Sequence, residues 1–224
     1  IYKGSNGVFG SGDYILFYAQ GTVGWNYANK RWQHTQNPYS RYGYYFVSDV
    51  AGEQTLIEKA PAITGDAADV DWFEDYRVYE KDSINLVDVS GVSGGGREFY
   101  DTPLHAQNPR QTIRFAMQNV LTDSSKPMRC FVDVAANSGE NSTFRISLAN
   151  TTATAVTKGI AVSDFYTKAE CDSVTFLAPA TSSGTQTVTI RFENSSSGAN
   201  GYLNYVELTA PCALTMQGNE MAIS

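Results

Sequence analysis

Long apolar runs are missing from this sequence. No stretch approaches the roughly 18 consecutive apolar residues of a transmembrane helix, so direct membrane insertion by a helix is not expected. Charge is sparse as well, at 17% of the 224 residues, against roughly 25% in an average globular chain. Bases are the scarcer sign: 16 Lys and Arg face 23 Asp and Glu, a net charge of −7. Binding to phosphate backbones needs clustered Lys and Arg, so nucleic acid is not an expected partner. Cysteine is limited to Cys130, Cys171 and Cys212, with no C-x-x-C pair, which excludes zinc ribbons and thioredoxin-type redox chemistry. An odd count does not read as a disulfide framework. One disulfide with a spare thiol stays open, but three buried thiols acting as small hydrophobes is the preferred reading.

Helical periodicity is also scarce. The one candidate is a short turn over Ala67–Asp75, where Asp66 could cap and acids fill the first turn. An initiator Met, a basic n-region and an apolar h-region are all absent from the start at Ile1-Tyr2-Lys3, and the end at Met221–Ser224 carries no charged tail. The expectation is therefore an excised piece of a longer protein.

Aromatics and apolar residues are plentiful. Hydrophobic residues make up 42% and aromatics 12%, with 14 tyrosines, enough for a sizeable core and against wholesale disorder. The runs Asp13–Ala19 and Tyr42–Val47 read as strands. Alternation gives further strands at 112–121, 128–134, 143–148, 186–192 and 202–208, with Met128, Cys130, Val132 and Val134 on one face. Turn clusters at Ser138-Gly139, Ser182–Gly184 and Asn194–Gly198 separate them. The expected fold is all-β, an antiparallel jelly-roll-like β-sandwich preceded by an aromatic-rich, irregular β module.

All three tryptophans, Trp25, Trp32 and Trp72, lie in the first 80 residues, while Thr, Ser and Val dominate from about residue 97. Ser90–Gly96 is the most flexible segment by composition. A boundary within 78–96 follows, giving an aromatic-rich module over 1–80 and a sandwich over 81–224. The three indoles are expected to be largely buried, pinning a loop over 22–41 with little regular structure of its own.

No constellation of residues carries chemistry convincingly. A thiol beside an imidazole can become a nucleophile, but His34 sits in a Gln- and Asn-rich stretch and His105 in Pro103–Pro109, neither after a glycine-rich elbow. Asp66, Asp69, Asp71, Glu74 and Asp75 lack the spacing of a calcium loop. Gly94–Tyr100 lacks the Lys-Ser/Thr of a P-loop. Asn141-Ser-Thr143, Asn150-Thr-Thr152 and Asn194-Ser-Ser196 fit the glycosylation pattern and are read as turn chemistry. Tyr18, Trp25, Tyr27, Trp32, Tyr39 and Tyr42 could stack on sugar rings, or could pack as loop aromatics over a sheet edge. No catalytic, cofactor-binding or metal-binding residue is assigned, and no cofactor is expected.

Four blocks stand in order: Gly7–Gly10 with Asp13–Gly21 and Trp25; Asn37–Ser40 with Tyr44–Phe46; Tyr79-Glu80, Asp82 and Asn85 with Gly96–Tyr100; and Gly201–Leu208 with Ala213-Leu214. This ordered set resembles the sortases of the type IX secretion system, in the non-catalytic region upstream of their gingipain-like cysteine peptidase domain. The third block departs from the family's Ser-Gly-Arg/Lys-Glu-Trp-aromatic-Gly-Glu, with Gly95 for Ser, Phe99 for Trp and Asp101-Thr102 for Gly-Glu. The resemblance implies a secreted protein held at the outer-membrane surface of a Gram-negative bacterium. It implies as partners a downstream peptidase domain of the same protein, an outer-membrane β-barrel anchor and secreted cargo attached to lipopolysaccharide. The family's catalytic His and Cys belong to the peptidase domain, so none maps onto this chain. The competing reading is a carbohydrate- or peptide-binding β-sandwich module of a cell-surface protein, using the aromatics of 18–46.

Overall fold

The computed structural model describes residues 10, 11, 14, 17, 19–46, 65, 69–86, 98–164 and 166–216. The Gly7–Phe9 motif, most of the Asp13–Ala19 run, Asp66–Ala68, the Ser90–Gly96 linker, Gly94–Arg97 and the terminal Met221–Ser224 lie outside these residues. The chain divides into two compact units, one of residues 1–24 with 35–69, the other of 25–34 with 70–224.

Ten strands are present, and no helix occurs among the described residues. They are β1 Val23–Ala28, β2 Arg31–Gln36, β3 Trp72–Glu80, β4 Arg110–Ala116, β5 Met128–Asn137, β6 Ser142–Leu148, β7 Thr151–Thr157, β8 Glu170–Ala178, β9 Thr185–Glu193 and β10 Asn200–Ala213. β1 and β2 pair as a hairpin, and the other eight form two four-stranded antiparallel sheets ordered β3-β10-β5-β8 and β4-β9-β6-β7. From β3 onward the chain changes sheet at every connection except the tight β6–β7 hairpin. That order is the jelly roll, two interlocked Greek keys.

Period-2 alternation selects the buried face of each sheet. Met128, Cys130, Val132 and Val134 of β5 are fully buried, facing Phe144, Ile146 and Leu148 of β6 and Val188 and Ile190 of β9. β10 is buried along nearly its whole length, because β3 and β5 flank it and its inner face meets the second sheet. The core leaves no room at Gly201: a Cβ there would stand 2.4 Å from the Phe192 ring. The five strands read from alternation between 112 and 208 all belong to this sandwich. β7 and β8 add to them, their Thr- and Ser-rich outer positions having hidden the pattern.

Several expectations need correction. Residues 22–41 are not a structureless loop, since they contain β1 and β2. The two-residue connection Asn29-Lys30 has φ of 53° and 59°, the type I′ geometry whose twist matches that of the flanking strands. Of the helical turn expected over Ala67–Asp75, the described residues 69–75 are not helical. Trp72–Asp75 are extended in β3, paired to Ala213–Ala210 of β10, so tertiary pairing overrides the local helix signal. A boundary at residue 80 would detach β3 from the sheet it completes. The strand expected over 112–121 ends at Ala116, and Asn119 takes a left-handed turn at φ 55°. Tyr42–Phe46, expected as strand, has no strand pairing; Ser40 and Tyr42 instead form a local turn through Ser40 Oγ.

In the first unit, Tyr45 donates its hydroxyl to the Gln20 carbonyl at 2.7 Å and its ring meets Phe17 with centroids 5.9 Å apart. Tyr39, Tyr42, Tyr44 and Phe46 are exposed.

Candidate functional site

The densest constellation of ionisable and aromatic side chains lies on the outer face of the β3-β10-β5-β8 sheet, where residues 25–34 of the hairpin pack on it. Alternation aims Trp25 and Trp32 at Tyr76 of β3. The Trp32 and Tyr76 rings stack with centroids 4.9 Å apart, and Trp25 meets Tyr76 at 4.4 Å. Tyr27 closes on the edge of Trp32. Each such pair contributes about 0.5–1.5 kcal/mol beyond area burial, so the indoles act as anchors for the hairpin. All three tryptophans are partly buried.

Beside these rings is a charged cluster. Glu207 of β10, 3% exposed, projects outward between Arg31 and His34. Its carboxylate accepts from Arg31 Nη1, from the His34 backbone N–H at 2.8 Å and from His34 Nδ1 at 2.6 Å. The other imidazole nitrogen, Nε2, reaches Glu80 of β3 at 2.9 Å. The Arg31 guanidinium also lies 3.7 Å from the Phe131 ring centre, and His34 stands edge-on to Tyr205. Two cations and two carboxylates thus alternate across hairpin and sheet. Burial by itself would lower the His34 pKa. The hydrogen bonds and charges of Glu207 and Glu80 outweigh it and raise the pKa to about 9, so the ring is an imidazolium at neutral pH.

That state decides the chemistry. An imidazolium with both N–H groups committed to carboxylates has no lone pair with which to take a proton from a nucleophile. His34 therefore holds the hairpin to the sheet. The expectation that placed it in a loop is corrected, since it is a strand residue of β2. What sequence alone missed is its partners, Glu80 and Glu207, which are 46 and 173 positions away. The available signal was Glu207 itself, the one charged residue in the mostly apolar and aromatic Tyr202–Leu208 run.

The other candidates are scattered. His105 bonds Gln107 through Nδ1 at 2.8 Å. Cys130 is buried and free, its thiol pushed up to about 12 by burial, and burial likewise moves Cys212 to about 11. Cys171 is exposed on the outer face of β8, correcting the reading of three buried thiols. It too is raised, chiefly by desolvation, and lies 3.7 Å from the Tyr100 hydroxyl. Such thiols stay protonated near neutrality and are poor nucleophiles. Of the acidic run, Glu74 and Asp75 point to opposite faces of β3, and Asp75 pairs with Arg77 at 2.9 Å. No group of three potential metal ligands occurs among the described residues. Asn141 accepts from Gly159 N–H and the Asn194 amide donates to Ser138 and Ser142, both across the fold, while Asn194 Oδ1 accepts from Ser196 N–H in a local turn.

A second polar network surrounds Asp101, a departure from the motif block. Asp101 is 1% exposed and accepts from the Tyr79 hydroxyl at 2.7 Å, Lys81 Nζ at 3.0 Å and the Gln111 amide. Burial alone would raise its pKa, but these bonds and the Thr102 N–H hold it below the ordinary carboxylate value. The network joins the end of β3 to the start of β4, one connection of the jelly roll.

No protein-family profile and no curated protein matches the sequence. Solved structures do match. The chain is similar in fold to dimeric latent PorU from Porphyromonas gingivalis, with a TM-score of 0.64 and 16% identity over 92% of this chain and 19% of that one. The likeness shows a shared fold, and this chain spans about a fifth of PorU's length. The carbohydrate-binding module CBM36 bound to calcium and xylotriose gives a TM-score of 0.33 at 10% identity over 62% of this chain and 99% of that one. The xylanase Xyn10B of Clostridium thermocellum gives 0.30 at 15% identity over 68% of this chain and 27% of that one. Those two are too distant to bear on function.

Proposed function

We propose that this chain is a non-catalytic accessory region of a secreted, outer-membrane-associated cysteine peptidase or sortase of the type IX secretion system. Its task is to position the catalytic domain against a membrane partner and incoming cargo. The observation that carries the reading is the extent of the fold likeness to PorU, nearly the whole of this chain against a small part of the other. The ordered blocks of sequence motif support it independently. So does the chemistry of the site: the imidazole beside two carboxylates is protonated and committed, and the three thiols are held in their neutral form.

The proposed partners are a peptidase domain of the same protein, an outer-membrane β-barrel and secreted cargo. The reading frame of the parent gene beyond Ser224 provides the test. A following α/β domain with a catalytic His and a later Cys supports the proposal, and a natural stop codon there defeats it.

A further inference from the structure

The two sheets of the jelly roll differ in charge. On the β3-β10-β5-β8 sheet, seven carboxylates accompany Arg77 and Arg129. On the β4-β9-β6-β7 sheet, four arginines accompany a single carboxylate, Glu193. In a chain of net charge −7, this sheet thus carries a local excess of positive charge on its outer face.

The arrangement on that face is specific. Cross-strand register sets Arg110 opposite Arg191 and Arg191 opposite Arg145, three arginines abreast on adjacent strands, with about 4.8 Å between strands. Arg114 follows two pleats further along β4. Like charges directly opposite one another destabilise a sheet, so folding by itself does not favour this row. Glu193 offsets part of it, accepting from Arg145 Nε at 2.9 Å and lying 3.6 Å from Arg191 Nε. Arg110 and Arg114 make no hydrogen bond or ion pair with any described residue, and both are exposed. Between the arginine positions runs a hydroxyl row, Thr112, Thr189, Ser147 and Thr152, in register across all four strands.

We propose that this arginine face is a docking surface for an acidic polysaccharide, a chain carrying repeated carboxylates between sugar hydroxyls. Guanidinium forks match carboxylates in paired hydrogen bonds, and the threonine and serine hydroxyls can both donate to and accept from sugar hydroxyls. The face offers only Ala116 and Val156 as outward apolar side chains, without the aromatic anchors around which protein partners build affinity. A second copy meeting it by two-fold symmetry would set arginine on arginine. Nucleic acid is disfavoured because the face has no outward aromatic side chain on which bases could stack.

The test uses the 224-residue chain with polygalacturonate as probe, and neutral dextran and polyglutamate in parallel arms. The expected result is binding to polygalacturonate that weakens with salt, with little retention on dextran or polyglutamate. R110Q/R114Q lowers the affinity about tenfold or more through lost charge-assisted contacts, with an unfolding midpoint that does not fall, because both side chains are exposed and the like-charge pair of Arg110 with Arg191 is relieved. Arg77→Gln, on the other sheet, leaves binding unchanged. Failure of the chain to bind polygalacturonate at low salt overturns the proposal. Equal binding to polyglutamate overturns the choice of a sugar polymer, and equal losses in R110Q/R114Q and Arg77→Gln overturn the location.

Discussion

His34 Nδ1 lies 2.6 Å from Glu207 Oε1, joining the hairpin to the central strand of the outer sheet through a pair of which neither side chain is more than 4% exposed. Removing the buried Glu207 carboxylate leaves the Arg31 and His34 charges it pairs uncompensated. Glu207→Gln is therefore expected to destabilise the second unit by about 3 kcal/mol, read as a lowered denaturant midpoint. The near-ultraviolet signal of Trp25 and Trp32 should be lost before that of the sandwich.

The same pair predicts a pH dependence. The His34 pKa is about 9 in the folded chain, against roughly 6.5 for a free imidazole. Being raised on folding, it contributes stability in full below pH 6.5 and loses it as pH climbs through about 9. The loss is on the order of 3 kcal/mol. Unfolding midpoints measured from pH 6 to 10 should fall across that window, and His34→Gln should flatten the fall.

Asp133 moves stability in a different window. Burial, reinforced by Glu98 and Asp172 and opposed by Asn204 and Arg31, raises its pKa to about 6. Its ionisation then weakens the fold between about pH 4 and 6. Asp133→Asn can keep an oxygen acceptor for the Asn204 amide, 3.1 Å away. It should stabilise the chain by about 3 kcal/mol at pH 7 and leave pH 4 unchanged.

Gly201→Ala places a methyl group against the Phe192 ring, which is 4% exposed. A cost of about 1–3 kcal/mol is expected from overpacking, measurable by chemical denaturation. A smaller effect would mean that the ring yields readily.

The sandwich was legible because most of its strands carry one largely apolar face. From Met128 to Val134 every second residue is apolar and every second residue is buried. β7 and β8 were less legible because Thr and Ser fill positions that packing alone decides. The hairpin was hidden for a related reason: Asn29-Lys30 is a type I′ turn without the usual glycine, so the turn signal was weak. The clamp was illegible in principle. His34, Glu80 and Glu207 are joined only by sheet topology, and nothing near any of them in sequence announces the other two. Cys171 shows the reverse case, its exposure following from a β8 register that the Glu170–Ala178 sequence leaves open.

As proposed, this region positions a catalytic partner and does no chemistry itself. The most direct measurement is turnover of thiol-protease substrates and sorting-signal peptides by the purified 224-residue chain, with and without Cys130, Cys171 and Cys212 replaced. The account predicts no turnover above background in either form. Turnover that disappears when one of these cysteines is replaced would contradict it.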